Sequence, residues 1–288
     1  MSEENSPDRR ARQTALRWQS QAVLLAFVPL TGTWVFLQMG QAWPDPILWQ
    51  ATAISAGLAV LVFATRAATL GAALTGAIFC AALYLQTPGL RTALWPLLAL
   101  LLLTFAATRF GRRRKEALGI AEARRGRTAS QVAANLGVAV LAGIPLLAAH
   151  IFSPVAFGGR EAMTAMLAAM AEATADTVSS ELGQVLGGEP RLITTLRRVP
   201  AGTNGAVSLA GTMCGSAAAA VVIVIGWAVL PLGRIDAMVA FGSGIAGTLV
   251  DSLLGAIPER RGWLNNDAVN ALSTLAAAVL AAWVARFV

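Results

Sequence analysis

An all-α, polytopic bundle of transmembrane helices is the fold this sequence predicts, and three observations predict it. Of its 288 residues, 56% are apolar and only 13% charged, a balance outside that of soluble globular chains. The mean hydropathy is +0.64. The apolar residues also gather into uninterrupted runs of about 18 to 22, the length a helix needs to cross roughly 30 Å of hydrocarbon.

In chain order, residues 1–19 read as a cytoplasmic basic arm and 20–288 as a single transmembrane domain. The first apolar run is long and has no small-x-small cleavage site, so it is expected to stay as a span. About nine spans are predicted, near 20–39, 47–65, 68–86, 92–109, 130–151, 161–183, 203–230, 235–256 and 266–287. With the N-terminus placed in the cytoplasm, 18 of the 22 lysines and arginines fall on cytoplasmic segments. Only Arg91, Arg160, Arg234 and Arg286 fall outside. The positive-inside rule therefore predicts a cytoplasmic N-terminus and an external C-terminus, in a protein of the bacterial cytoplasmic (inner) membrane. Segment 161–183 is the least hydrophobic; if it re-entered rather than crossed, every later span would invert.

Residues 110–128 form the one sizeable connection, strongly basic, with Leu118, Ile120 and Ala121 set among the charges. This pattern fits a short amphipathic helix on the cytoplasmic surface, or a topogenic cluster attracted to anionic lipid.

Several chemistries are excluded at once. Cys80 and Cys214 both lie inside apolar runs, and His150 is the only histidine. No disulfide or zinc framework, histidine metal site or Ser-His-Asp triad can be assembled from these. The net charge of +7 reports topology in a membrane chain, so the bilayer is the expected partner and nucleic acid is not. Neither a Walker sequence nor a dinucleotide fingerprint is present.

Asp176 and Asp251 stand out against this background. A carboxylate within hydrocarbon costs about 2.5–3.5 kcal/mol even on insertion scales, which marks it as functional by default. Counting back from the helix ends at 1.5 Å per residue puts both roughly 8–10 Å inside the cytoplasmic boundary, near C-terminal, negative dipole ends. Two such carboxylates need a cation. All-oxygen ligands point to Mg²⁺ (or Mn²⁺), which completes its shell with substrate phosphates. Glu172, a turn before Asp176, and Glu181, five residues after it, are further candidate ligands.

Helices five, seven and nine would bring N-termini to the same face. They are preceded by Arg124-Arg125, Arg197-Arg198 and Arg260-Arg261, and they open with Gln131 and Asn135, Thr203-Asn204, and Asn265-Asn266-Asp267 with Asn270. Helix N-termini with arginines suit anions, phosphate in particular. Gly202 and Gly205 would let backbone approach a ligand, while Thr203 or Asn204 would cap the helix or donate to an oxygen.

Several of these stretches resemble the integral-membrane family of the plant phytyl-phosphate kinases and transmembrane protein 19. They are Ala-Asp-Thr-Val-Ser-Ser-Glu-Leu-Gly at 175–183, Arg-Leu-Ile-Thr-Thr at 191–195, Val-Pro-Ala-Gly-Thr-Asn-Gly at 199–205, Asp-Ser-Leu-Leu-Gly-Ala at 251–256 and Asn-Asp-Ala-Val-Asn at 266–270. The stretch Arg-Arg-Gly-Arg-Thr-Ala-Ser-Gln-Val-Ala-Ala-Asn at 124–135 also fits. The resemblance spans about residues 50–288 and is densest from 109 onward.

What the resemblance implies is a membrane isoprenyl-monophosphate kinase. Such an enzyme transfers a phosphoryl group from a nucleoside triphosphate (CTP or ATP) to a prenyl phosphate at the cytoplasmic face. Asp176 and Asp251 would hold the metal, and Arg198 would act at the transferred group. Lys115, Arg197, Gly202, Thr203, Asn204 and Gly205 would bind phosphate, with Asn135, Asp267 and Asn270 completing a polar wall. A homodimer is left open. The alternatives are a CTP-dependent nucleotidyltransferase making a CDP-lipid, and a transporter of an anionic or isoprenoid substrate, whose site belongs nearer the midplane.

Overall fold

The computed structural model describes residues 16–41, 45–117, 119, 126–144 and 159–288. The arm before Leu16, the far part of the 130–151 segment with His150, and Leu118, Ile120, Ala121, Arg124 and Arg125 of the basic connection lie outside these residues. Among the described residues the helices are α1 (Arg17–Gln41), α2 (Pro46–Ala64), α3 (Leu70–Gln86), α4 (Leu94–Arg109), the short α5 (Arg112–Ala117), α6 (Ala129–Ala142), α7 (Gly159–Leu186), α8 (Leu209–Val229), α9 (Arg234–Leu254) and α10 (Asn266–Ala285). Strands β1 (Arg191–Leu192) and β2 (Ala206–Val207) pair antiparallel between α7 and α8.

Helices α1, α2, α8, α9 and α10 are long and apolar enough to cross a membrane, and α3, α4 and α6 are shorter apolar helices. Their outer faces expose Leu25, Phe36, Trp49, Val60, Leu74, Leu102, Met238 and Trp283. So apolar an exterior is a lipid-facing surface.

Helix α7 is the axis of the bundle and packs against α4, α6, α8, α9 and α10. From Thr164 to Ala175 it is buried without a break. This explains its low hydrophobicity: it meets protein rather than lipid, and its alanines let neighbouring helices approach closely. Continuous over 28 residues, it runs the length of α10. At one end Arg160 donates to the Ala285 carbonyl (2.6 Å) and pairs with Asp236 of α9 (3.2 Å). At the other end Gly183 lies against Gly211 and Ser208 at the start of α8.

That second end gathers polar chemistry. Thr128 caps α6 in a capping box with Gln131, Ser208 caps α8 through the Gly211 N–H, and Asn265 caps α10 through the Ala268 N–H. Gln19 of α1 binds the backbone of Trp263 and Asn265 there. Arg109 reaches the Thr65 carbonyl, and residues 67–69 pair with Arg127.

The start of α8 departs from expectation. Gly202-Thr203-Asn204-Gly205 does not open the helix, which begins at Leu209 after a Ser208 cap. Instead the four residues are the last of the β1–β2 loop, leading directly into β2. Thr203 Oγ1 donates to the Pro200 carbonyl (2.7 Å), and the Ile193 N–H donates to the Gly205 carbonyl (3.1 Å). The local β pairing supplies backbone partners that a helix would otherwise have provided.

Candidate active site

Three helices present small polar residues at helical spacing to one cavity of about 280 Å³. Helix α7 contributes Asp176, Ser179, Ser180 and Gly183; α8 contributes Thr212, Gly215 and Ser216; α9 contributes Thr248, Asp251, Ser252 and Gly255. Each set repeats at intervals of three and four residues, so each lies on one helix face. Loop residues Gly202, Thr203, Asn204 and Gly205 close the mouth, with Glu259 and Asn266 beside them.

The close fit of that loop depends on glycine. Gly205 adopts φ +73°, and a Cβ there would lie 2.3 Å from the Ala256 nitrogen. Gly255 approaches the same backbone from the other side, where a Cβ would meet the Gly205 nitrogen at 2.8 Å. Just past Asp251, α9 widens into a π-turn over Gly255–Glu259, a feature frequent at functional sites. The turn aims Glu259 into the cavity.

The carboxyl groups of Asp176 and Asp251 come within hydrogen-bonding reach of each other. Ser273 Oγ donates to Asp251 Oδ2 (3.2 Å). Glu172 lies behind them, fully buried against Gly247 and close to both aspartates, and its Oε1 has no hydrogen-bond partner among the described residues. Among the described residues no lysine or arginine lines this cavity. No group of three or more His, Cys, Asp or Glu side chains is arranged to hold a metal among the described residues. The cavity offers two facing aspartates and an orphaned carboxylate oxygen behind them. An all-oxygen set of this kind suits a hard cation that keeps much of its shell for water and phosphate.

The remaining predicted residues lie elsewhere. Lys115 is fully buried; its Nζ donates to the Ala107 and Thr108 carbonyls and pairs with Glu181. It satisfies the last carbonyls of α4 and ties α5 to α7, so neither Lys115 nor Glu181 faces the cavity. Arg198 is exposed and pairs with Glu189 on the loop surface (2.6 Å), and Arg197 is exposed beside it. Asn135 and Asn270 meet directly, Nδ2 of Asn270 to Oδ1 of Asn135 at 3.2 Å, in a buried layer between α6 and α10. Asp267 is buried in the first turn of α10.

The cation close to Asp176 is Arg127. Its Nη2 approaches Thr177 Oγ1 at 3.4 Å. Arg127 enters the sequence analysis through the positive-inside count and the 124–135 stretch, and neither it nor Glu259, Thr248, Ser252 or Ser216 is singled out there as a site residue. The three- and four-residue spacing of hydroxyl and acidic residues around Asp251 was the signal that would have found most of them.

Fold and cavity together define an integral membrane protein whose polar chemistry sits at one end of a helical bundle. The chain belongs to the family described as Integral membrane protein DUF92, whose profile matches residues 53–278. An uncharacterized membrane protein of Methanocaldococcus jannaschii is 40% identical over 138 residues, covering 48% of this chain and 56% of the relative. One of Synechocystis is 35% identical over 188 residues, 61% of this chain and 67% of the relative. Protein VTE6, chloroplastic, of Arabidopsis thaliana is 31% identical over 188 residues, 64% of this chain and 55% of that protein. The chain thus spans a little over half the length of two of these relatives. No solved structure matches it.

Proposed function

We propose that this protein is a prenyl-monophosphate kinase acting at the cytoplasmic face of the membrane. One observation carries the reading: Asp176 and Asp251 face each other in a cavity closed by the glycine-bearing loop 202–205. The resemblance to the phytyl-phosphate kinases in those stretches supports a prenyl phosphate as acceptor, and the 31% identity to protein VTE6 over 188 residues supports the same reading. The positive-inside distribution supports the cytoplasmic orientation.

In this reading the donor triphosphate enters the acidic cavity, where Asp176 and Asp251 would hold Mg²⁺ or Mn²⁺. The metal supplies charge neutralisation on the donor phosphates. Ser252 offers a hydroxyl donor to phosphate oxygens; Ser179, Ser180 and Thr248, which donate to carbonyls of their own helices (3.0, 3.1 and 3.1 Å), would turn to do the same, with the Gly202–Gly205 backbone beside them. An oxygen of the prenyl phosphate attacks the γ-phosphorus. The bond from that phosphorus to the β,γ-bridging oxygen breaks, and the nucleoside diphosphate leaves with the electron pair. The nucleophile is already an anion, so no histidine base is needed, and catalysis is positioning and charge compensation.

Purified protein incubated with Mg²⁺, a panel of prenyl phosphates and each of the four nucleoside triphosphates tests this. Prenyl diphosphate and nucleoside diphosphate are the expected products. Formation of a CDP-lipid with release of pyrophosphate, and no prenyl diphosphate with any donor, would replace the kinase with a nucleotidyltransferase.

A further inference from the structure

A second cavity, of about 320 Å³, lies among α2, α3, α4 and α6. Its charge is the reverse of the first. Among the described residues Arg66, Arg109, Arg112 and Arg127 line it and no Asp or Glu does, whereas the first cavity holds acids without bases. We propose that this cleft is the acceptor site, with the prenyl chain between α3 and α4 and its phosphate beneath Arg112 and Arg127. The assignment rests on the kinase reading for the identity of the lipid.

Shape and chemistry argue for one apolar chain with an anionic head. Away from the arginines the walls are Leu58, Gly76, Phe79, Leu97, Leu100 and Leu136. From Leu97 to Arg109 along α4 the cleft runs about 18 Å, deep enough to bury a long chain lengthwise. All four arginines belong to the end of the bundle that carries the first cavity.

The basic end also has unmet hydrogen-bonding capacity. Arg112 uses Nε on Glu116 (3.0 Å), but its Nη2 and the Thr108 hydroxyl are buried without partners among the described residues. Both residues line the cleft. Buried donors of this kind cost about 1–3 kcal/mol each when unsatisfied, and a phosphate would satisfy them.

Geometry links the two cavities. Ala173 of α7 lines the cleft, and Arg127 contacts Thr177, the residue next to Asp176. Arg127 is held there by parallel pairing with Ala68, which Gly126 permits: at φ +75° its Cβ would fall 2.5 Å from the Ala67 carbonyl carbon. A phosphate under Arg127 therefore sits at the α7 turn that carries the acidic cavity.

Photocrosslinking tests the site without requiring turnover. The full-length wild-type protein in nanodiscs is irradiated with a geranylgeranyl phosphate carrying a diazirine near the chain terminus, and the adducts are mapped by mass spectrometry. Adducts on α3 and α4 facing the cleft, suppressed by prenyl phosphate but not by prenol or phosphatidic acid, are expected. Labelling confined to the outer faces of α8 or α9, or suppressed equally by phosphatidic acid, would overturn the assignment. Labelling in the cleft with no turnover on any nucleotide would uphold it and fail the kinase reading instead.

Kinetics give a second arm. Gly76 lines the cleft and a Cβ there meets nothing within 4 Å, so Gly76→Trp sets a bulky side chain on the cleft wall with no clash at its Cβ. KM for geranylgeranyl phosphate should rise at least about tenfold relative to geranyl phosphate, with KM for nucleotide unchanged. Equal effects on both chain lengths would count against the cleft.

Discussion

At the scale of single residues, the buried carboxylates divide into two kinds. Glu181 has a partner: Lys115 neutralises it and simultaneously holds the end of α4. Replacing Lys115 by Met should leave Glu181 unpaired and cost about 3–5 kcal/mol, read as a large fall in unfolding midpoint in detergent. A Lys115→Met protein of wild-type stability with weakened nucleotide binding would return Lys115 to the phosphate site. Asp176 and Asp251 instead lie beside each other on the wall of the cavity, with Asp251 accepting from Ser273, and Glu172 has behind them an oxygen without a partner among the described residues. In the kinase reading such a set is held for a ligand rather than for the fold. Their cost within an apolar run made the aspartates conspicuous in the sequence. The partners of Lys115 and Arg198 could not be read there, because any two opposite charges are separated by contacts that only packing decides.

At the scale of elements, the loop between α7 and α8 and the π-turn after α9 form one unit. Backbone meets backbone at Gly205 and Ala256, with no room for a side chain. Gly205→Ala combines that clash with a positive φ and should detach the loop from Gly255–Glu259. We expect at least about 1–3 kcal/mol of destabilisation and loss of phosphoryl transfer, whereas Gly188→Ala, also at positive φ but with nothing within 4 Å of its Cβ, should only strain its own turn. Equal losses in circular dichroism melts and turnover for both variants would remove the special role of the loop contact. Helices were the most legible elements, since each needs only a run of apolar residues. Each of the nine segments read as spans contains a helix among the described residues, and five of these helices are long and apolar enough to cross a membrane. The start of α8 was misplaced by six residues because Gly-Thr-Asn-Gly carries capping chemistry and turn chemistry alike. Its choice between them is made by β1, a strand of two residues with no hydrophobic period to betray it.

At the scale of the whole molecule, α7 runs the bundle's length inside a sleeve of other helices, so the sequence's weakest candidate span carries the longest unbroken buried run among the described helices. Alanine content rather than hydrophobicity is what a helix surrounded by protein requires. Arg160 at one end of α7 and Gly183 at the other meet opposite ends of α10 and α8. Helix α7 is therefore expected to cross the membrane, with loop 187–207 cytoplasmic and the C-terminus external. Single cysteines introduced at Thr195 and Val288, in a background lacking Cys80 and Cys214, should react with an impermeant maleimide from opposite sides of sealed vesicles. Labelling of both from one side would invert half of the bundle and move the acidic cavity away from cytoplasmic nucleotide.

The central claim is that Asp176 and Asp251 together create the phosphoryl-transfer site. Its most direct test is transfer of label from the γ-phosphate of a nucleoside triphosphate to a prenyl phosphate by wild-type, Asp176→Asn and Asp251→Asn proteins of matched melting behaviour. Wild type should form labelled prenyl diphosphate in a Mg²⁺- or Mn²⁺-dependent manner, with turnover falling on the order of 100-fold or more in each variant. Undiminished transfer by both variants would contradict the account.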